Sequence, residues 1–120
     1  MKIKIHKINN KPIAEINSEK VVITEVQDAL DIMAECDYLG ARKIIIKEEN
    51  ITQNFFELKT RLAGEILQKF TNYKVDLAII GNFEKYKSKS LNDFIYESNK
   101  HGKIVFVPTL ENAIERLSTI

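Results

Sequence analysis

Three short runs in this chain carry apolar residues at consecutive positions rather than alternate ones: Lys43-Ile44-Ile45-Ile46-Lys47, Asp76-Leu77-Ala78-Ile79-Ile80 and Lys103-Ile104-Val105-Phe106-Val107. Runs of this kind belong to strands covered on both faces, and parallel strands with helical crossovers supply that cover. Each run is followed by a segment with helical periodicity. The amino-terminal pattern differs. Ile3, Ile5 and Ile8, separated by Lys and His, read as an edge strand with one wet face. Asn9-Asn10-Lys11 reads as a hairpin turn, since Asn tolerates positive φ. Pro12 opens the returning strand, which runs through Ile16, and a first-residue Pro costs no ladder hydrogen bond. A further short strand is expected around Val21-Val22-Ile23.

Four helices follow from the period of the apolar positions. The first is expected from Thr24, with Gln27 in the capping-box position, to Gly40; Val26, Ala29, Leu30 and Met33 form its apolar face, and Asp28 and Asp31 face solvent. The second is expected from Thr52 or Asn54 to Phe70, with Phe55, Leu58, Leu62 and Ile66 in one row. Gly64 inside it costs about 1 kcal/mol against Ala, and a close contact with the sheet is the simplest reason to keep it. The third begins near Ser88 or Ser90, buries Leu91, Phe94 and Ile95, and leaves at Lys100-His101-Gly102. Thr109 caps the fourth, whose face is Leu110, Ala113, Ile114 and Leu117. The predicted order is β-β-(β)-α-β-α-β-α-β-α: one α/β sandwich over 1–120, with an antiparallel hairpin on a parallel core. Ligands of open α/β sheets gather past the carboxyl ends of the strands, so that edge is where function is expected.

Length and charge narrow the classes. A chain of 120 residues is one domain with enough core to need no staple. With 18 Lys+Arg against 17 Asp+Glu, it lacks the concentrated positive field that nucleic acid or a membrane surface would require of its main partner. The single Cys36 excludes an internal disulfide, fits a reducing compartment, and reads as a small buried thiol in helix one. The first residues alternate charged and apolar, unlike a signal peptide, and no segment is long enough to span a bilayer. A cytoplasmic protein is expected.

Two loops at the carboxyl edge carry candidate chemistry. After Ile46 comes Lys47-Glu48-Glu49-Asn50-Ile51-Thr52-Gln53-Asn54. Its acids, amides and hydroxyl suit a partner surface made by Glu48, Glu49, Asn50 and, further on, Lys59. Glu48 and Glu49 point opposite ways if the strand continues, so they form no acid/base pair. The spacing matches no metal motif, and neither metal nor cofactor is expected. The second loop, Gly81 to Ser90, leads into a helix amino terminus, where free N–H groups favour an anion. Asn82, Lys85, Lys87, Ser88 and Ser90 would line a small-anion or ligand loop there, although Gly81 alone stands in for the glycine-rich backbone of a phosphate cradle. His6 and His101 have no nucleophile or carboxylate beside them in sequence, and a hydrolase triad is unsupported.

From Thr52 onwards the chain resembles the uncharacterised bacterial domain-of-unknown-function family 4180. The matching stretches are Phe55-Phe56-Glu57-Leu58-Lys59-Thr60, Ala63-Gly64-Glu65-Ile66-Leu67-Gln68-Lys69-Phe70, Lys85-Tyr86-Lys87-Ser88-Lys89-Ser90-Leu91 and Phe94-Ile95-Tyr96-Glu97-Ser98-Asn99-Lys100, with Val26-Gln27-Asp28-Ala29-Leu30-Asp31 upstream. That resemblance implies no activity. In element order the chain is also similar to the STAS domains of anti-sigma-factor antagonists. These place a phosphorylatable Ser or Thr at the start of the helix after their third main strand, and Thr60, or secondarily Thr52, lies near that place. Glu57-Leu58-Lys59-Thr60-Arg61 stands where those domains have Asp-Ser-Ser/Thr-Gly, and a helix starting near Thr52 puts Thr60 two turns inside it.

The expectation is therefore a STAS-like regulatory or protein-interaction module working through the carboxyl edge, with an unidentified protein partner. The alternative is a small-molecule or anion-binding protein, weakly enzymatic at most, using the Gly81–Ser90 loop. A homo-oligomer pairing through the Lys2–Ile8 edge is a third arrangement.

Overall fold

Asn9 (φ 52°) and Asn10 (φ 65°) form the two-residue loop between β1 (Lys2–Ile8) and β2 (Lys11–Asn17), with the positive φ at both positions that a type I′ turn requires. The strands pair antiparallel, Ile8 opposite Lys11 and Lys2 opposite Asn17. The computed structural model describes residues 1–119 and continues through α1 (Val26–Tyr38), β3 (Lys43–Lys47), α2 (Leu62–Asn72), β4 (Asp76–Ile80), α3 (Lys89–His101), β5 (Ile104–Val107) and α4 (Leu110–Ser118). Strands β2 to β5 are parallel neighbours, and the spatial order β1-β2-β3-β4-β5 follows the chain. The expected mixed α/β domain, with one antiparallel hairpin on a parallel core and four helices, is the observed one.

This sequential order decides which face each helix covers. Every crossover steps one strand in the same direction, and right-handed crossovers that all move one way leave their helices on one face. Accordingly Ala29, Ile66, Phe70 and Leu91 of α1 to α3 share a core with Ile16, Ile44, Ile46 and Ile79. Only α4 lies on the opposite face, where Ala113 and Leu117 pack on Ile13, Ile45, Ala78 and Val105. The strand order never reverses. The crevice that opens at such a reversal in doubly wound sheets therefore has no counterpart, and any concavity at the carboxyl edge must be built by the connections.

Several local expectations are corrected. Val21–Ile23 makes no strand; Ile23 forms one parallel bridge with Ile51. The cap of helix α1 falls one residue later than expected, at Glu25, with Asp28 rather than Gln27 reaching back. The Asp28 carboxylate accepts from the Thr24 and Glu25 N–H groups and from the Thr24 hydroxyl. Helix two is broken into 3-10 turns at Gln53–Phe56 and Leu58–Thr60 before α2 begins at Leu62. The cause is local: the Thr60 hydroxyl reaches the carbonyl oxygens of Asn54 (2.7 Å) and Glu57 (2.8 Å), a side-chain alternative to the helix ladder, and Arg61 turns at φ 66°. Gly64 does not touch the sheet: a Cβ built there meets nothing within 4 Å.

The two edges of the sheet are treated differently. Beyond β5, the Ser98 hydroxyl donates to the Ile104 carbonyl (2.5 Å), and the Asn99 amide both accepts from the Phe106 N–H (2.6 Å) and donates to its carbonyl (3.1 Å). Helix α3 thus seals that edge with side chains where a sixth strand would add. On the other side, β1 is the outermost strand.

Candidate functional site

The connections after β3 and β4 meet at the carboxyl edge. Past Lys47 the chain makes a 3-10 turn over Glu48–Asn50, which swings the Glu48 carboxylate inward rather than out. There it accepts from the Tyr86 hydroxyl and pairs with Lys85 Nζ at 2.8 Å. Gly81 permits this approach: a Cβ on it would stand 2.5 Å from Glu48 Oε1 and 2.8 Å from its Cβ. The Tyr86 ring stacks on Phe56 at 5.4 Å between centroids, with Lys85 5.4 Å above its centre. Burial, followed by the hydrogen bond to Glu48 and that carboxylate's charge, pushes the Tyr86 phenol above its ordinary range. It therefore acts as a donor, tying the second loop to the first.

Around this tie the fold gathers segments far apart in sequence. A cleft of about 570 Å³ lies between them, with Gln53, Phe56 and Lys59 on one wall and Tyr86, Lys87 and Ser90 on the other. Ser88 lines it too, but its hydroxyl accepts from the Leu91 N–H at 3.1 Å and so caps α3. A second cleft, about 740 Å³, opens beside it between β4, β5 and α3, lined by Asn82, Phe83, Asn92 and Ile95 among others.

The sequence-expected residues separate accordingly. Glu49, Lys59 and Thr60 are exposed at the edge, and Thr52 is half-buried. Glu48 and Asn50 are buried, a correction to their expected place on a partner face. Asn50 is fully buried, and its amide donates to the carbonyls of Ser18 (2.9 Å) and Lys20 (2.8 Å). Its own carbonyl accepts from Val22 and Ile23 N–H, so it clamps the 18–23 segment to the edge. The expected anion loop is divided. Lys87, Ser88 and Ser90 face the smaller cleft, Asn82 faces the larger one and caps the turn at Glu84 (3.3 Å), and Lys85 is committed to Glu48. Thr60 is not two turns inside a helix. It lies just ahead of α2, and its Oγ accepts from the Leu62 N–H at 3.3 Å.

The fold also unites groups that lie far apart in the chain. On the sheet face opposite α1 to α3, His6 Nε2 meets Glu15 Oε1 at 2.7 Å, and Lys47 Nζ lies 3.8 Å from Glu15 Oε2 and 3.0 Å from Asn17 Oδ1. Glu15 is 8% exposed. Its alternation with Ala14 and Ile16 places it on a strand, but only the register of β1, β2 and β3 supplies its partners. Among the described residues, no group of three or more His, Cys, Asp or Glu side chains is arranged to hold a metal ion, and no helix is long and apolar enough to cross a membrane.

No curated protein and no solved structure matches the chain. One family model does, the domain of unknown function DUF4180, over residues 8–117. That span takes in the hairpin turn, all three parallel crossovers, both loops of the carboxyl edge and nearly the whole of α4. The chain belongs to the DUF4180 family.

Proposed function

We propose that this domain is a cytoplasmic, non-catalytic regulatory module that binds a protein partner through its carboxyl edge, and that phosphorylation of Thr60 alters that binding. The observation that supports this reading is the position of Thr60: exposed, outside α2, and hydrogen-bonded to Asn54, Glu57 and Leu62 at the helix entrance. In the STAS domains that the chain resembled in expected element order, a modifiable hydroxyl stands at the same kind of place. A phosphoryl group would bring about −1.5 to −2 charges, next in sequence to Lys59 and Arg61 and close to the amino terminus of α2, where negative charge is favoured. It would also replace the hydroxyl hydrogen that bonds Asn54 and Glu57, leaving those carbonyls only the Glu57 and Thr60 N–H groups. The 54–61 segment would change shape while the sheet kept its own. The test is tagged capture from native lysate with nucleoside triphosphate present, comparing wild type with Thr60→Ala and Thr60→Glu. Phosphate found on Thr60 by mass spectrometry, with a different partner set for Thr60→Glu, is the expected result. Unchanged incorporation and unchanged partner affinity in Thr60→Ala would remove the reading.

A second reading rests on the smaller cleft, where Lys59 and Lys87 stand with Ser90: a small anion held between the two loops. A ligand at about 100 times its Kd would stabilise the fold by about 2.7 kcal/mol. A thermal-shift panel of phosphates and nucleotides would show this plainly, and a flat panel would count against it.

A further inference from the structure

The unequal edges of the sheet point to a second interaction surface, independent of the Thr60 reading. In a two-residue hairpin the residues flanking the loop form a hydrogen-bonded pair, and such pairs alternate along an antiparallel ladder. With Ile8 opposite Lys11, the residues bonded to β2 are Lys2, Lys4, His6 and Ile8. Pro12, opposite Lys7, falls at a non-bonded position, where its missing N–H costs β1 nothing. The backbone N–H and C=O groups of Ile3, Ile5 and Lys7 therefore point away from β2, along the outer edge. Three residues supply about six bonding groups for another strand. The β5 edge offers no such template, because Ser98 and Asn99 already occupy it.

Side chains on β1 specify what fits. No acidic residue precedes Glu15 in the chain, whereas Lys2, Lys4, Lys7 and Lys11 do. Lys2 and Lys4 lie on the face that carries α4, in register with Asn17 and Glu15, and are exposed. Glu15 is engaged by His6 and Lys47. The alternate residues Ile3 and Ile5 lie on the other face; Ile3 packs on the core, and Ile5 is 38% exposed. An added strand would thus meet Lys2 and Lys4 on one face, and on the other Ile3 and Ile5 with Lys7 beyond them. A second copy of β1 carries the same positive charge, and added parallel and in register it would set Lys2 and Lys4 against their own copies, where like charges destabilise a pair. A strand alternating acidic and β-branched residues satisfies both faces.

We infer that the outer edge of β1 binds an extended protein segment of alternating acidic and β-branched residues, which adds as a sixth strand through the backbone of Ile3, Ile5 and Lys7. Lysines on an edge strand also discourage indiscriminate pairing; here the same charges would make the edge selective by repelling its own kind and admitting an acidic strand.

The test uses the full chain, ¹⁵N-labelled, with a blocked peptide of eight residues alternating Val and Glu. Saturable binding is expected, with new solvent protection at the Ile3, Ile5 and Lys7 amides and none at Lys4 and His6, already bonded to β2. Replacing every Glu of the peptide by Lys should abolish binding. N-methylating alternate peptide bonds should do the same while keeping the charge, which separates strand addition from loose ionic attachment. The variant Lys2→Glu/Lys4→Glu, altered only at exposed side chains, should fold and bind at least about tenfold more weakly. Equal binding by the N-methylated peptide, equal binding by the charge-reversed variant, or protection elsewhere would overturn the inference. So would concentration-dependent protection of Ile3, Ile5 and Lys7 in the protein alone without peptide binding, since the occupant would then be a second copy of this chain.

Discussion

Replacing Asn50 by Ala tests whether the carboxyl edge is held from inside. Asn50 is fully buried and its amide donates to two backbone carbonyls, Ser18 at 2.9 Å and Lys20 at 2.8 Å. Each bond contributes about 0.5–1.5 kcal/mol net, and each abandoned carbonyl that cannot reach water costs more. Against this, the Asn50 Oδ1 is itself buried without a hydrogen-bond partner among the described residues, so its removal returns part of the loss. The net expectation is a destabilisation of about 2 kcal/mol, or about 8 °C in Tm for a domain of this size. Urea unfolding followed by circular dichroism measures it, and amide exchange at Val22 and Ile23, which donate to the Asn50 carbonyl, locates it. The near-isosteric Asn50→Asp sharpens the test, because it sets a carboxylate oxygen against the two carbonyls. Its proton would be held more tightly in the folded state than in the unfolded one. The deficit should therefore be smallest below about pH 4 and grow as pH rises through the folded-state pKa. If Asn50→Ala falls within about 0.5 kcal/mol of wild type, well under the two-bond expectation, and Val22 and Ile23 exchange no faster, the clamp is wrong.

Other substitutions probe separate links in the structure. Gly81→Ala should destabilise by about 1–3 kcal/mol as an overpacked contact and should displace Glu48, releasing Tyr86. Ultraviolet titration would then find a tyrosine returned towards its ordinary range, and an unchanged titration would refute the Glu48–Tyr86 tie. Gly64→Ala should stabilise by about 0.5–1 kcal/mol, since a Cβ there meets nothing within 4 Å; a loss in the urea midpoint would mean that this face is covered. Burial, with a smaller contribution from Glu35, pushes the Cys36 thiol up to about 11. The unfolded chain therefore ionises this group first, so stability should decline from about pH 8.5 towards the folded value. That component should be missing in Cys36→Ala, and iodoacetamide should label Cys36 only after unfolding. Ready labelling of the native thiol at pH 8 would contradict its burial.

The legible parts of the fold are those set by neighbours in sequence. Positive φ at Asn9 and Asn10 makes the hairpin, and Ser88 and Thr109 cap α3 and α4 where their positions predict, accepting from Leu91 and Asn112 N–H. Periodicity misleads at helix two because the apolar spacing over 55–70 fits one continuous helix, whereas the Thr60 hydroxyl takes carbonyls that the ladder needs. Gly64 misleads for a different reason. Periodicity places a glycine on a face but says nothing about what covers that face.

Sequence alone determined that this chain is a mixed α/β domain with a wet hairpin and buried parallel strands, because periodicity, turn conformation and caps are local preferences. It also pointed to the two loops past β3 and β4. Only the tertiary structure decided what those loops do for each other. Glu48 meets Tyr86 across 38 positions in sequence, at a distance that Gly81 permits. Glu15 meets His6 and Lys47 through strand register, and one edge is sealed by Ser98 and Asn99 while β1 is left outermost. The physical reason is common to all three. Whether a charged or hydrogen-bonding group is surface, core or site depends on the partners that folding brings within about 3 Å, and those partners belong to other elements that no local pattern pairs with it.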